Sequence, residues 1–293
     1  RASVMAAAGA RRHISPFRLL LVLIALGAVG AITAKATVSL VAESRAASTQ
    51  TWFAPYVDVT LTPTLYFEEP NEQPARDVVL GFVVADPADS CSPSWGTYYT
   101  LDAAARALDL DRRVVRLRER DGDAIVSFGG AQNNELATIC KDVTKLTAAY
   151  QAVIDRYGLT AVDFDIEGTA LADTAANERR AEAIARLQEK NEGLAVWFTL
   201  PVAVEGLMVE SVDLLDTTVA GGVELSGLNV MTMNFGDSRA GLPVREAIER
   251  SLLATFTQLD GVYQRAGQPR TESEIWRLIG VTPMIGRNDI PSD

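Results

Sequence analysis

The sequence predicts an α/β fold with a parallel sheet, and three observations predict it. From about Ala46 to the end of the 293-residue chain, short β-rich runs alternate with longer amphipathic ones. The β-rich runs are apolar at nearly every position, as strands buried on both faces are. The runs between them carry apolar residues at helical spacing, and strand–helix alternation gives right-handed crossovers and parallel pairing.

The strands, in order, are "TWFAPYVDVTL" from Thr51, "DVVLGFVVA" from Asp77, "DAIVSFGG" from Asp123 and "TAVDFDIEG" from Thr160. "LAVWFTLPV" from Leu194, "GLNVMTMNFG" from Gly227 and "LIGVTPMIG" from Leu278 complete the set. Between the third and fourth, Asn134 to Gly158 reads as one helix. Leu136, Ile139, Val143, Leu146, Ala149, Val153 and Ile154 share a face there, and Gly158 supplies the stop. "TAANERRAEAIARLQEKNEG" and "PVREAIERSLLATFTQLDGVYQRAG" read the same way. Thr62 to Arg76, with Pro63, Pro70 and Pro74, is a long first connection. Such a set of strands fits a doubly wound sheet or a (β/α) barrel. No G-x-G-x-x-G follows the first strand and no G-x-x-x-x-G-K-[ST] occurs, so the nucleotide-binding folds lose their usual support.

Residues 1–45 form a separate segment, and 46–293 the folded domain. Arg11, Arg12 and Arg18 precede Leu19 to Ala34, a run without a charge. A basic flank before such a run is an export signal, with Ala34-Lys35-Ala36 as a cleavage site, or an uncleaved anchor holding the protein to the cell membrane. The domain is therefore expected outside the cell. The net charge of −11 and pI near 4.7 exclude nucleic acid and admit a neutral or cationic ligand. Cys91 and Cys140 are an even pair, and in an oxidising compartment they are expected to form a disulfide. The sole histidine, His13, lies in the export segment. The domain thus has no imidazole base and no histidine metal ligand, and neither a metal nor a cofactor is expected.

One strand breaks the pattern. "AVDFDIEG", Ala161 to Gly168, puts Asp163, Asp165 and Glu167 at alternate positions of an apolar run. Alternation gives all three carboxylates one face, and Val162, Phe164 and Ile166 the other. Burying unpaired carboxylates costs several kcal/mol or shifts their pKa until they are neutral. Such a face is tolerated where the acids share protons, find donors or meet a ligand, and the C-terminal end of a barrel strand is where active sites lie.

With these residues the chain resembles glycoside hydrolase family 18, the chitinases and their relatives. The fourth strand of that family reads D-x-x-D-x-D-x-E, matched by "TAVDFDIE" in its last three acids, with Thr160 at the first. "SFGG", Ser127 to Gly130, matches S-x-G-G on the third strand. "MTMNF" sits where the sixth usually reads M-x-Y-[DN], with Met233 in place of the Tyr and Asn234 as the allowed acid variant. The resemblance implies a (β/α)8 TIM barrel. The strand count stops at seven, so the barrel reads as truncated before its eighth strand.

The resemblance also implies a mechanism in which the acetamide of the sugar attacks its own anomeric carbon, with retention. Glu167 would be the acid, Asp165 would orient the acetamide N–H, and Asp163 would hold a proton with Asp165. Ser127, Gly129, Gly130, Met233 and Asn234 would line the sugar site. Among the aromatic residues near strand ends (Trp52, Phe53, Tyr56, Trp95, Tyr98, Tyr99, Trp197), Trp95 in "CSPSWG" is read as a loop platform for a sugar ring. The expected partner is chitin or another N-acetylglucosamine polymer. A binding protein without turnover and an endo-acting enzyme on N-glycans or peptidoglycan remain alternatives.

Overall fold

The computed structural model describes residues 52–72, 75–286 and 288–290. The expected export segment lies outside them. Among the described residues no helix is long and apolar enough to cross a membrane.

The strands are β1 (Tyr56–Asp58), β2 (Val78–Ala85), β3 (Pro93–Trp95), β4 (Tyr99–Thr100), β5 (Ala124–Gly129) and β6 (Ala161–Asp165). They continue with β7 (Ala195–Ala203), β8 (Gly206–Leu207), β9 (Gly227–Met231) and β10 (Ile279–Thr282). Helices α1 (Leu101–Ala107) and α2 (Leu110–Arg118) precede β5, and α3 (Leu136–Ile139) and α4 (Val143–Tyr157) precede β6. Then come α5 (Thr174–Lys190), α6 (Val209–Ala220), α7 (Val244–Arg265) and α8 (Glu272–Leu278).

Each of the seven runs read as strands contains one. They lie side by side and parallel in the order β1-β2-β5-β6-β7-β9-β10. Short β3, β4 and β8 add antiparallel ribbons at the ends of β2 and β7. Among the described residues β1 and β10 are not paired with each other. The first strand is far shorter than the run that announced it, because the chain turns at Val59–Leu61 and the following connection folds back over α2. Glu68 fixes that connection by accepting from buried Arg113 at 2.9 Å and from Arg116 at 3.0 Å.

Phe128, Phe164 and Phe198 stand directly opposite one another on β5, β6 and β7. Their rings stack at 5.3 and 5.4 Å, and Tyr150 of α4 meets the first two edge-on. This row seals the outer face of the acidic strand under the helices, so its alternate residues are forced to the other side.

The helix expected over 134–158 is two helices. The break falls at Cys140, which leaves α3 to join Cys91 with Cα atoms 4.8 Å apart, a separation ordinary for a disulfide. Asp142 then starts α4 by accepting from the Lys145 backbone N–H at 3.0 Å. Behind β5, Glu135 caps α3 and forms a buried ion pair with Arg180 at 2.7 Å. Tyr150 donates its hydroxyl to the same carboxylate.

Candidate active site

The site is built at the C-terminal ends of the parallel strands. Asp163 and Asp165 are buried and face inward from β6, while Val162, Phe164 and Ile166 are buried on the other side. Glu167 lies just past the strand but keeps an extended backbone, φ −132° and ψ 166°, so the alternation carries through to the third acid. It is half-buried. Gly168, at φ +55°, then turns the chain away.

Asp163 is held by three hydroxyls. Ser127 donates to Oδ2 at 2.6 Å, Tyr56 to Oδ2 at 3.0 Å and Thr199 to Oδ1 at 2.8 Å. Asn229 in turn donates to Thr199 at 3.1 Å and to Thr282 at 2.5 Å. Six of the seven parallel strands therefore contribute one polar side chain to a single layer, from Tyr56 on β1 to Thr282 on β10. Beneath it the Trp197 ring lies against Gly227, where a Cβ would come within 2.1 Å of the ring.

Burial dominates the electrostatics. It pushes Asp163 up to about 6, against the three hydroxyl donors that favour its anion. Asp165 is raised well above the usual carboxylate range, first by burial and then by the neighbouring charges of Asp163 and Glu167. Burial also raises Glu167, opposed by its contact with Asp165. Carboxylates so close titrate as one unit and retain protons toward neutral pH. Asp165 Oδ1 is buried with no hydrogen-bond partner.

The glycines serve the same strand. Gly129, at φ +106°, brings β5 so close that a Cβ would sit 2.1 Å from the Asp165 carbonyl oxygen, and the Gly130 N–H donates to that oxygen at 2.8 Å. Phe82 lies flat on Gly130, where a Cβ would meet its ring at 2.9 Å, and stacks on Tyr56 at 6.0 Å. Ser127 is fully buried, so it supports Asp163 rather than lining the open surface. Met233 is half-buried beyond β9. The amide of Asn234 is engaged by Asp289 at 3.1 Å and the Ile290 N–H at 3.2 Å.

Trp95 is a correction. It is not a loop platform: it is fully buried on β3 and donates its indole N–H to the Tyr157 hydroxyl at 3.0 Å. Pro93 and Gly96 bound a strand paired to β2 instead of a free loop, and this turns the indole toward α4. The exposed ring of that ribbon is Tyr98, 75% exposed.

Thr199, Asn229, Thr282 and Phe82 were not singled out from the sequence, and Tyr56 was named only as one ring among several. The first three did carry a signal. Each is a lone polar residue in an otherwise apolar strand, "VWFTLPV", "GLNVM" and "IGVT".

No family model matches the chain. It is 37% identical over 254 residues to a probable bifunctional chitinase/lysozyme of Escherichia coli, an alignment covering 82% of this chain and 27% of that protein. It is 36% identical to endochitinase 11 of Metarhizium anisopliae, covering 82% of this chain and 46% of that one. Among solved structures, the catalytic domain of the hyperthermophilic chitinase of Pyrococcus furiosus superposes with a TM-score of 0.69 at 29% identity. That match covers 81% of this chain and 73% of the other. In sequence and in fold the chain is thus similar to the chitinases. It spans about a quarter and just under half of the length of the two curated relatives. In family terms the fourth-strand motif ends on Asp163, Asp165 and Glu167. Its first position is Thr160, whose hydroxyl faces Asp123 at 3.4 Å near the start of the strand.

Proposed function

We propose that this barrel hydrolyses β-1,4-linked N-acetylglucosamine polymers with retention, using the acetamide of the substrate as the nucleophile. The observation that carries the reading is Asp165 Oδ1, a buried acceptor without a donor beside a half-buried Glu167. A buried orphan acceptor is costly, and a substrate N–H would satisfy it.

In this reading Glu167 gives its proton to the glycosidic oxygen as the bond from the anomeric carbon breaks. The acetamide carbonyl oxygen, aligned through its N–H on Asp165, closes on that carbon to form an oxazolinium ion. Glu167, now a carboxylate, takes a proton from water, which attacks the same carbon and reopens the ring. Asp163, within its cradle of hydroxyls, shares the charge of the pair with Asp165. The raised pKa of Glu167 suits it to keep a transferable proton.

Met233 favours a second reading, a weakly catalytic or purely binding protein. Its thioether supplies no donor for the acetamide oxygen where the family usually has a Tyr hydroxyl, and one lost donor of this kind costs about 3 kcal/mol. Glu167 favours the enzyme. Proton NMR of chitin oligosaccharide digestion separates the two: the first product should be the β-anomer. No product, or an α-anomer, contradicts the proposal. The N-terminal apolar run and the Cys91–Cys140 disulfide support action outside the cell, which localisation of the full chain tests.

A further inference from the structure

We propose that Asn229, whose amide is taken up by Thr199 and Thr282, sets the direction of the hydrogen-bond chain that ends on Asp163, and so decides which acid of the pair carries the proton. The proposal rests on the reading of Asp163 and Asp165 as a working pair.

The direction of the chain follows from the hydrogens available at Thr199. Thr199 Oγ1 has one hydrogen and three polar neighbours: Asp163 Oδ1 at 2.8 Å, the Tyr56 hydroxyl at 2.7 Å and Asn229 Nδ2 at 3.1 Å. The Asn229 amide presents one N–H to Thr199 and the other to Thr282. A hydroxyl that accepts from an amide N–H on one side is free to send its own hydrogen to the other. Thr199 therefore donates to Asp163, as Ser127 does at 2.6 Å, and the Tyr56 hydroxyl, 2.7 Å from Thr199 and 3.0 Å from Asp163, divides its single hydrogen between the two.

The amide orientation follows from the same count. Were the Asn229 carbonyl turned toward Thr199, the threonine hydrogen would be drawn to it. Asp163 Oδ1 would then face a lone pair at 2.8 Å, tolerable only if Asp163 itself held the proton. The groups facing Asp163 are Tyr56 from β1, Ser127 from β5, Asp165 and Glu167 along its own chain, and Thr199 from β7. Of these only Tyr56 and the two acids titrate, and burial holds the Tyr56 hydroxyl protonated well above its ordinary range. The donors gather on Asp163 and none reaches Asp165 Oδ1, so the charge of the pair settles on Asp163 and the proton on Asp165. Asn229 acts at two bonds' remove. It is a positioning residue.

Asn229→Asp tests this, because a carboxylate accepts where the amide donates. It would take the hydrogen of Thr199 and strip Asp163 Oδ1 of its donor. The measurement is the carboxyl carbon-13 titration of Asp163 in the full chain, which needs no turnover and so stands even if the hydrolysis proposal fails. The expected result is a rise of about one unit or more in the apparent pKa of Asp163. In active protein the acidic limb of kcat should rise with it while KM stays put. Thr199→Val should give the same rise, and Thr199→Ser should restore the parent titration. In a Thr199→Val background, Asn229→Asp should add much less than it does alone. If Asn229→Asp leaves the Asp163 titration unmoved, or shifts it equally with and without the Thr199 hydroxyl, the chain through Thr199 is not what sets the charge. Should Asn229→Asp fail to fold, the Thr199 pair decides: a Val variant that titrates like the parent overturns the proposal.

Discussion

The Tyr56 hydroxyl lies 3.0 Å from Asp163 Oδ2, although 107 residues separate the two in the chain. The contact joins the first parallel strand to the fourth across the interior, so it exists only when the sheet has curled. Tyr56→Phe removes that donor and leaves the ring stacked on Phe82. Asp163 should then titrate higher, and catalysis should fall more at the acidic end of the pH range than at its optimum. Parallel pH–rate profiles of parent and variant check it.

Asp163→Asn should change how stability depends on pH. The folded-state pKa of about 6 is above the ordinary carboxylate value of 3.8, so the fold prefers the neutral acid. That preference is fully present below about pH 4 and is lost as pH rises through about 6. The variant, which never ionises there, should gain on the parent by about 2 kcal/mol between pH 4 and pH 7. Urea unfolding at the two pH values measures it, and equal differences at both would contradict the burial argument.

How much of this was legible beforehand differs between the barrel and its site. All seven parallel strands could be read, since each is a β-rich apolar run between helical ones, and the three acids stood out because their alternation conflicts with burial. The support around them was harder to see. Ser127 and Thr199 meet Asp163, and Asn229 meets Thr199, through strand register, and register depends on where every neighbouring strand begins. Trp95 was misread because a Pro and a Gly mark a turn equally well at the edges of a short paired strand. The helix break at Cys140 has a similar origin: the disulfide overrides an unbroken helical pattern.

Closing a loop of 49 residues, the Cys91–Cys140 bond should contribute about 4 kcal/mol on the chain-entropy account. Denatured, unreduced protein should show no reactive thiol, and Cys140→Ser should unfold at distinctly lower urea. Two labelled thiols in air-oxidised protein would contradict the pairing.

Glu135→Ala should be among the most damaging changes outside the acidic strand. It strands the Arg180 guanidinium, buried and 2.7 Å from the Glu135 carboxylate, and takes the cap from α3. A buried charge left unpaired costs about 3–5 kcal/mol. Replacing both residues with apolar ones of similar volume should recover much of that loss, which a double-mutant cycle in urea resolves.

The central claim is that Glu167 delivers the proton to the leaving oxygen. The direct measurement is release of a fluorescent leaving group from a short chitin oligosaccharide by the parent and by Glu167→Gln, with oligosaccharide affinity measured in parallel by calorimetry. The amide keeps the shape of the site but has no proton to give, so turnover should fall at least 100-fold while binding is retained. A Gln variant that turns over at more than about a hundredth of the parent rate would show that the proton comes from elsewhere.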